Sequence, residues 1–229
     1  MTRTLLNIGY CAEHFKGGDR INRLPGQEHA EWLEQAVDLY LRIIPDDWAV
    51  CVSCTGFHGM LNVENAPGNC ERDVMWRIAG KCMILGVTQN PGHQQGAALC
   101  IRQGLECASK LGYTYMVQTA EDVIPGEGIW RGDGGKRSNI LADMNHAIYL
   151  GRADYVGSLW GPNRDELDSC FFACRVEPLV SRFDPASCVP YLERYLASLV
   201  TGKRVEFSGH YRTTHDHSEW TRWAKELHP

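Results

Sequence analysis

The tightest constraint on the fold is one continuous stretch, Ile84 to Pro125, ILGVTQNPGHQQGAALCIRQGLECASKLGYTYMVQTAEDVIP. Ile84 to Val87 is a short apolar run. Asn90-Pro91-Gly92 follows as turn chemistry, because proline fixes φ and glycine accepts φ > 0. Ala98, Ile101, Leu105 and Ala108 then recur three and four apart, the spacing of one helix face. Gly112 is a stop signal at that helix's C-terminus. Tyr113 to Val117 rebuilds a strand rich in aromatic and β-branched residues and leads to Glu121-Asp122. Carboxylates at the carboxyl end of a central strand sit where open α/β sheets bind ligands.

Upstream, Thr4 to Tyr10 is the first expected strand, and Cys11 to Gly26 is a polar loop. Glu28 to Ile44 is a helix with Leu33, Val37, Tyr40, Leu41 and Ile44 on its buried face. Trp48 to Ser53 is continuously apolar, as suits a strand buried on both faces. A loop over Thr55 to Gly68 precedes a helix over Arg72 to Lys81. The order β-α-β-α-β-α-β predicts a parallel sheet with right-handed crossovers. Downstream, Pro125 to Ser138 contains five glycines, and its two readings are a surface loop or a lid that docks through Ile129 and Trp130. A helix over Asn139 to Leu150, a strand over Tyr155 to Trp160 and an acidic loop over Gly161 to Asp168 follow. Ser169 to Val176 is a strand, Val189 to Val200 a helix and Val205 to Phe207 a short strand. Trp220 and Trp223 mark a closing amphipathic helix.

At 229 residues, 44% hydrophobic with seven tryptophans, the chain can fill the core of one large domain. A net charge of −5 argues against a dedicated nucleic-acid binder, whose phosphate contacts need clustered Lys and Arg. The opening MTRTLLNIGYC is too short in apolar run for a signal peptide, and no stretch approaches the ~20 apolar residues of a membrane helix. The ten cysteines are therefore read as reduced thiols of a cytoplasmic protein. Cys51 and Cys54 with His58 and Cys70 carry the residue types of a zinc site, but Cys51 lies in an apolar strand, where free Cys behaves as a small hydrophobe. The Asn90 turn lacks the Gly-Lys-Ser/Thr ending of a P-loop, which removes an ATPase reading.

With Asn90, Gly92, Gly96 and Gly104 in the turn and helix, and Ala120-Glu121-Asp122 at the acidic position, the central stretch resembles the nucleotide-sugar glycosyltransferases of GT-A fold, in particular the inverting family two. The likeness extends, more faintly, through FFACRVEPLVSRFDP, VPYLERYLASLVTGKRVEF and THDH, and covers roughly residues 84 to 217 and the first strands loosely. The family's Asp-x-Asp motif has lost its first Asp here and keeps its last as Asp122.

That resemblance implies an α/β fold, Rossmann-like, with a mostly parallel central sheet flanked by helices. It implies one catalytic domain over 1–229, with a nucleotide-sugar-binding half at 1–122 and an acceptor-side half with the tail at 123–229. The implied reaction moves a sugar from a nucleotide-diphosphate donor to a hydroxyl acceptor, with inversion. A Mn²⁺ or Mg²⁺ ion bridging the donor's phosphates offsets their charge. Asp122 is the first metal ligand, Glu121 a second or a water-mediated one, and His215 and His217 are late ligands. Imidazole suits Mn²⁺ better than Mg²⁺, and the alternative for both histidines is a solvated tail. The acidic-helix position falls on Glu193, with Arg194 standing where the family's second acid would be. Asp168, Glu166 and Asp165 are rival general bases, each also readable as a solvated surface charge.

Ile8, Gly9, Tyr10 and Cys11 end the first strand and are expected to line the nucleotide, with Asn90, Gly96, Ala120 and Glu121 completing the donor side. Ser53-Cys54-Thr55 stands where the family often has the Asp that reads uracil, so the nucleotide stays open. Arg102 either approaches the phosphates or is exposed. The acceptor, whether glycan, lipid-linked sugar, small molecule, protein or modified nucleic acid, is expected to meet residues 125–138 and 157–168. Two other readings stand beside the transferase. A nucleotidyltransferase would need a Gly-rich, cationic loop after the first strand, where the chain offers Lys16, Gly17, Gly18 and Arg20. A non-catalytic nucleotide-sugar-binding domain would fit the missing first Asp.

Overall fold

The computed structural model describes residues 3–11, 26–55, 69–87, 93–131, 137–161, 165–188, 191–207, 211–214 and 216–229. In chain order the elements are β1 (Thr4–Cys11), α1 (Gly26–Ile43), β2 (Trp48–Thr55), α2 (Asn69–Ala79), β3 (Met83–Val87), α3 (His93–Lys110) and β4 (Tyr115–Ala120). Then come β5 (Val123–Pro125), β6 (Glu127–Arg131), β7 (Arg137–Asn139), α4 (Ile140–Gly151), β8 (Tyr155–Trp160) and β9 (Glu166–Arg175). The chain closes with α5 (Glu177–Val180), a 3-10 turn (Pro185–Cys188), α6 (Leu192–Leu199), β10 (Arg204–Glu206), β11 (Tyr211–Thr213) and α7 (His217–Leu227).

Seven strands form the main sheet in the order β10-β8-β9-β4-β1-β2-β3. β3, β2, β1 and β4 are mutually parallel, β10 runs parallel to β8, and β9 is antiparallel to both of its neighbours. This is the mostly parallel α/β sheet expected from the alternating pattern, with helices on both faces.

Strand alternation assigns the faces. Leu6, Ile8 and Tyr10 of β1, with Val50 and Val52 of β2, pack on one face against residues of α1, α2 and α4. Leu5, Cys51 and Met116 pack on the other against α3, α5 and α6. This second face also carries a polar layer. Asn7 is in register with Cys51 on one side and Gln118 on the other, and it is wholly buried. Its Nδ2 donates to the Cys100 carbonyl at 3.0 Å and to Gln118 Oε1 at 2.7 Å, while its Oδ1 accepts from Ser53 Oγ at 2.6 Å. Every polar atom of the amide is thus engaged, as a buried polar group requires. Gly104 on α3 lets the helix close over this layer: a Cβ there would lie 2.5 Å from Asn7 Nδ2.

α3 ends as expected at Gly112, whose φ is 72°. The amides of Gly112 and Tyr113 donate to the carbonyls of Ser109 and Ala108, the paired bonds of a Schellman stop. α4 begins at Asn139, whose side chain accepts from the Ala142 amide at 2.9 Å. α1 differs from the expected one-faced helix. Leu41 is 39% exposed, and a second stripe of Trp32, Ala36 and Leu39 is buried under Trp220 and Ala224 of α7. The tail helix therefore covers the outside of α1, and α1 is buried on two sides.

Two segments expected to be loops contain strand. Pro125 to Ser138 contributes β6 and β7, which pair antiparallel, and β5 pairs with β11 from the tail. The acidic loop expected over Gly161 to Asp168 stops short: β9 begins at Glu166, so Glu166 and Asp168 lie in a strand. β4 ends at Ala120, directly before Glu121-Asp122, as expected. No described helix is long and apolar enough to cross a membrane.

Candidate functional site

The acidic pair Glu121-Asp122 occupies the turn between β4 and β5, at the carboxyl ends of the parallel strands, and both residues are half-buried. The turn is braced from α1. The Tyr40 hydroxyl donates to the Val123 carbonyl at 3.1 Å and lies 2.5 Å from Thr119 Oγ1, so one side chain ties the residues before and after the acids. Burial pushes the Tyr40 hydroxyl well above its ordinary value, and the charges of Asp122 and Glu121 add to the rise. From the other side comes β11, in antiparallel register with β5, and the Thr214 amide donates to the Asp122 carbonyl at 3.4 Å. The tail thus runs alongside the acidic turn.

Beside it lies the start of β9. Because β9 is antiparallel to β4, its first residues fall next to the end of β4. The β8–β9 ladder is bulged there: Gly157 pairs with Phe172 and Leu159 with Leu167, leaving Ser158 facing residues 168–171. Asp168 fills the bulge. Its Oδ1 accepts from the Cys170 amide at 2.8 Å and the Phe171 amide at 3.4 Å, and its Oδ2 accepts from the Tyr211 hydroxyl at 2.6 Å. Only 2% of Asp168 is exposed. Burial raises its carboxyl above the usual range, the three donors pull it back, and the charge of Glu193 raises it further. The Tyr211 hydroxyl is pushed up by burial and then by the Asp168 charge. Cys170, on the same bulge, has its thiol pushed up to about 12, first by desolvation and then by Asp168, Asp122 and Glu193. These three carboxylates therefore share one region of negative potential.

The other expected acids separate by partner. Glu193, in the first turn of α6, accepts from Ser169 Oγ at 2.8 Å and is half-buried. Glu166 is bound to Arg194 at 2.7 Å. Asp165 is exposed. The Arg194 guanidinium also lies 4.9 Å over the Tyr191 ring.

On the expected donor side, Ile8 and Tyr10 point into the core at 0% and 2% exposure, so of these two only the backbone faces the strand end. Gly9 faces α3, where an added Cβ would meet Gln118 Nε2 at 3.0 Å. Gly96 is buried in the first turns of α3, and Ala120 packs on the core at the end of β4. The side chain of Cys11, and Asn90 entirely, fall outside the described residues. Arg102 neither points at a phosphate position nor is free. It donates to the carbonyls of Val180 and Phe183 at 2.5 and 2.7 Å and pairs with Glu106, tying α3 to α5. Cys51 donates to Asn7 Oδ1 at 3.2 Å inside the core, in keeping with its reading as a packing residue.

His215 also falls outside the described residues, one position after Thr214. His217 opens α7 and is turned to α1: its ring stacks on Trp32 at 5.3 Å, and Nε2 lies 3.1 Å from Gln35 Oε1. Among the described residues no three of His, Cys, Asp and Glu converge closely enough to hold a metal ion by themselves. The carboxylates at the turn that could take part in holding a cation are Glu121 and Asp122, and Mg²⁺ and Mn²⁺ commonly take one or two carboxylates and complete their shell with phosphate oxygens and water.

Sequence reasoning did not find Tyr40, Ser169 or Tyr211. All are single residues whose roles depend on contacts 24 to 83 positions away in the chain, and no local pattern marks them.

No family model matches this chain, and no curated protein matches it. Its fold does have counterparts among solved structures. A candidate nucleotide-diphospho-sugar transferase of Desulfovibrio desulfuricans is similar over 90% of this chain and 80% of its own, with a TM-score of 0.51 at 11% identity. The A197 protein of STIV is similar over 94% of this chain and 87% of its own, with a TM-score of 0.45 at 12% identity. The first likeness shows the fold: an α/β, Rossmann-like sheet flanked by helices.

Proposed function

We propose that this protein is a glycosyltransferase that moves a sugar from a nucleotide diphosphate to a hydroxyl acceptor, with inversion and with help from a divalent ion. The observation that carries the proposal is the position of Asp122. It lies in the turn at the carboxyl end of β4, flanked by the acids of the β9 bulge and α6 on one side and the tail strand β11 on the other. The similar fold of the Desulfovibrio desulfuricans protein, described as a candidate transferase of nucleotide-diphospho-sugars, supports this class.

In this reading the nucleotide lies across the ends of β1 and β2, and its diphosphate reaches toward Asp122. Asp122, Glu121 and His215, the residue after Thr214, would hold Mn²⁺ or Mg²⁺. When bound, the ion would offset the charge that builds on the leaving diphosphate. Glu193 acts as the general base. It takes the proton of the acceptor hydroxyl as that oxygen bonds to the anomeric carbon and the bond to the diphosphate breaks. It is better suited than Asp168 or Glu166. Asp168 is enclosed by its three donors, Glu166 is neutralised by Arg194, and Glu193 is half-buried with a neutral hydroxyl as partner. The acceptor approaches from β8, β9 and α6, within reach of residues 157–168.

The deciding experiment is a thermal-shift screen of UDP, GDP, CMP, TDP, ADP and their sugars, each with and without Mn²⁺. A ligand bound only by the native state at ~100 times its dissociation constant stabilises it by ~2.7 kcal/mol. One nucleotide diphosphate should raise the midpoint only with Mn²⁺, and Asp122→Asn should erase that rise. An unchanged rise in Asp122→Asn removes the metal role of Asp122. A flat screen of the folded protein removes the transferase reading.

A further inference from the structure

The bulge at the start of β9, between β8 and β4, is braced from several sides. Its backbone is held from below by the Tyr155 hydroxyl, which lies 3.1 Å from the Ser158 carbonyl and 3.2 Å from the Asp168 carbonyl. Ser158 is itself tied, through Oγ, to the Phe207 carbonyl at 2.9 Å. The Asp168 carboxylate accepts from two amides of the bulge, those of Cys170 and Phe171, and Tyr211 on β11 closes its other oxygen. Bulges re-aim side chains, and a local irregularity persists only where its surroundings over-determine it. The residue this bulge aims is Ser169. Its hydroxyl donates to Glu193 Oε1 at 2.8 Å, across from β9 to the first turn of α6.

We propose that Ser169 is a positioning residue for the general base, and that the Asp168–Tyr211 brace exists to hold Ser169 in that place. The inference rests on the reading of Glu193 as base. A glutamate has three rotatable side-chain bonds, and a half-buried one samples several rotamers. Ser169 fixes one carboxylate oxygen and leaves the second for the acceptor's proton. Being neutral, the hydroxyl orients the carboxylate without cancelling its charge, which an arginine such as Arg194 would do. The hydrogen bond is short-range and local to the base, so its loss should affect the bond-making step and leave the diphosphate end of the donor untouched.

The test follows release of nucleoside diphosphate from UDP-glucose, UDP-N-acetylglucosamine and GDP-mannose with Mn²⁺, in the wild type and in Ser169→Ala, Ser169→Thr and Glu193→Gln. A hydrogen bond to a charged group is worth ~1.5–3 kcal/mol, so Ser169→Ala should lower kcat by about 10- to 100-fold. Its KM for donor should stay within about twofold of wild type, as expected when only transition-state geometry is lost. Ser169→Thr, which keeps the hydroxyl, should recover most of the rate. Wild-type kcat in Ser169→Ala overturns the positioning role, as does a loss that Thr does not restore or that appears equally in KM. Glu193→Gln tests the underlying reading separately: a variant with wild-type kcat removes the base itself. A wild type that releases no diphosphate from any of these donors overturns both.

Discussion

The parallel half of the sheet and its antiparallel edge are built on different principles. β1 to β4 pair in unbroken parallel register, and each strand alternates between two helical layers. Their largest buried polar group is one closed network around Asn7. The edge formed by β8, β9 and β10 is irregular. It carries a bulge, a buried carboxylate, and tyrosine hydroxyls reaching in from β8 and from the tail. In the regular half, the polar atoms of the Asn7 amide are satisfied internally and hold α3 to the sheet. At the edge, carboxylates share one field and several retain partly open surfaces. The comparison teaches where each half spends its polar groups: the first on closing a core, the second on shaping a site.

The largest expected effect breaks the regular half. Gly104→Ala would place a Cβ 2.5 Å from Asn7 Nδ2, 2.6 Å from Asn7 Cγ and 2.7 Å from Met116 Sδ. Neither neighbour can retreat, since Asn7 is bonded at every polar atom and Met116 is wholly buried. Overpacking of this kind costs about 1–3 kcal/mol, and disturbing the Asn7 amide adds the loss of buried hydrogen bonds. For a chain of this size the midpoint should fall by about 5–10 °C in a thermal melt. A shift under 1 °C would mean that α3 slides freely over the polar layer, and the contrast between a rigid half and a shaped edge would lose its basis.

The same contrast explains what the sequence made legible. The apolar runs of β1 and β2, the 3–4 spacing of α3 and the Gly112 stop are local signals, and each produced its element within a few residues. The acids at the end of β4 were legible because a strand's carboxyl end is set by its own sequence. The edge was not legible for a matching reason. Asp168 looks like a loop acid because its neighbours Asn163, Asp165 and Glu166 are polar, yet it is buried in β9 and its carboxylate is held by Tyr211, 43 positions away. Part of the loop expected over 125–138 is strand because β6 finds β7, a pairing that no local pattern declares, just as none declares that of β5 with β11 in the tail. Leu41 was expected inside because helical periodicity cannot tell that α7 covers a different stripe of α1.

A middle-sized effect sharpens the edge side of the comparison. The Asp168 carboxyl is raised above its ordinary value by burial. A group whose folded pKa is raised contributes stability that is whole below the unfolded-chain value, ~3.9 for Asp, and that is lost as pH rises through the folded value. Asp168→Asn keeps an acceptor for the Cys170 and Phe171 amides and removes the titration. The stability of wild type relative to this variant should therefore decline as pH rises above ~3.9, by ~1.4 kcal/mol for each unit by which the carboxyl is raised. Urea unfolding of both proteins across that range measures it. A difference that stays flat with pH, or grows, would mean that the Tyr211 and amide donors outweigh burial.

The smallest effect asks how far the shaped edge extends toward the acceptor. Trp160 ends β8 and is 52% exposed, and its Cα partner Glu166 pairs with Arg194, which lies over the 53%-exposed Tyr191. Two open aromatic faces are thus linked by one ion pair, next to Glu193. If this surface receives the acceptor, Trp160→Ala should raise the acceptor's KM about three- to tenfold, since one exposed contact contributes ~1 kcal/mol. Its thermal midpoint should stay close to wild type, because surface substitutions usually change stability by under ~0.5 kcal/mol. Release of nucleoside diphosphate in the absence of acceptor separates the possibilities. It should be unchanged in the variant, because water needs no aromatic platform. If hydrolysis falls together with transfer, Trp160 belongs with the donor, and the division of labour between the parallel half and the edge must be redrawn at β8.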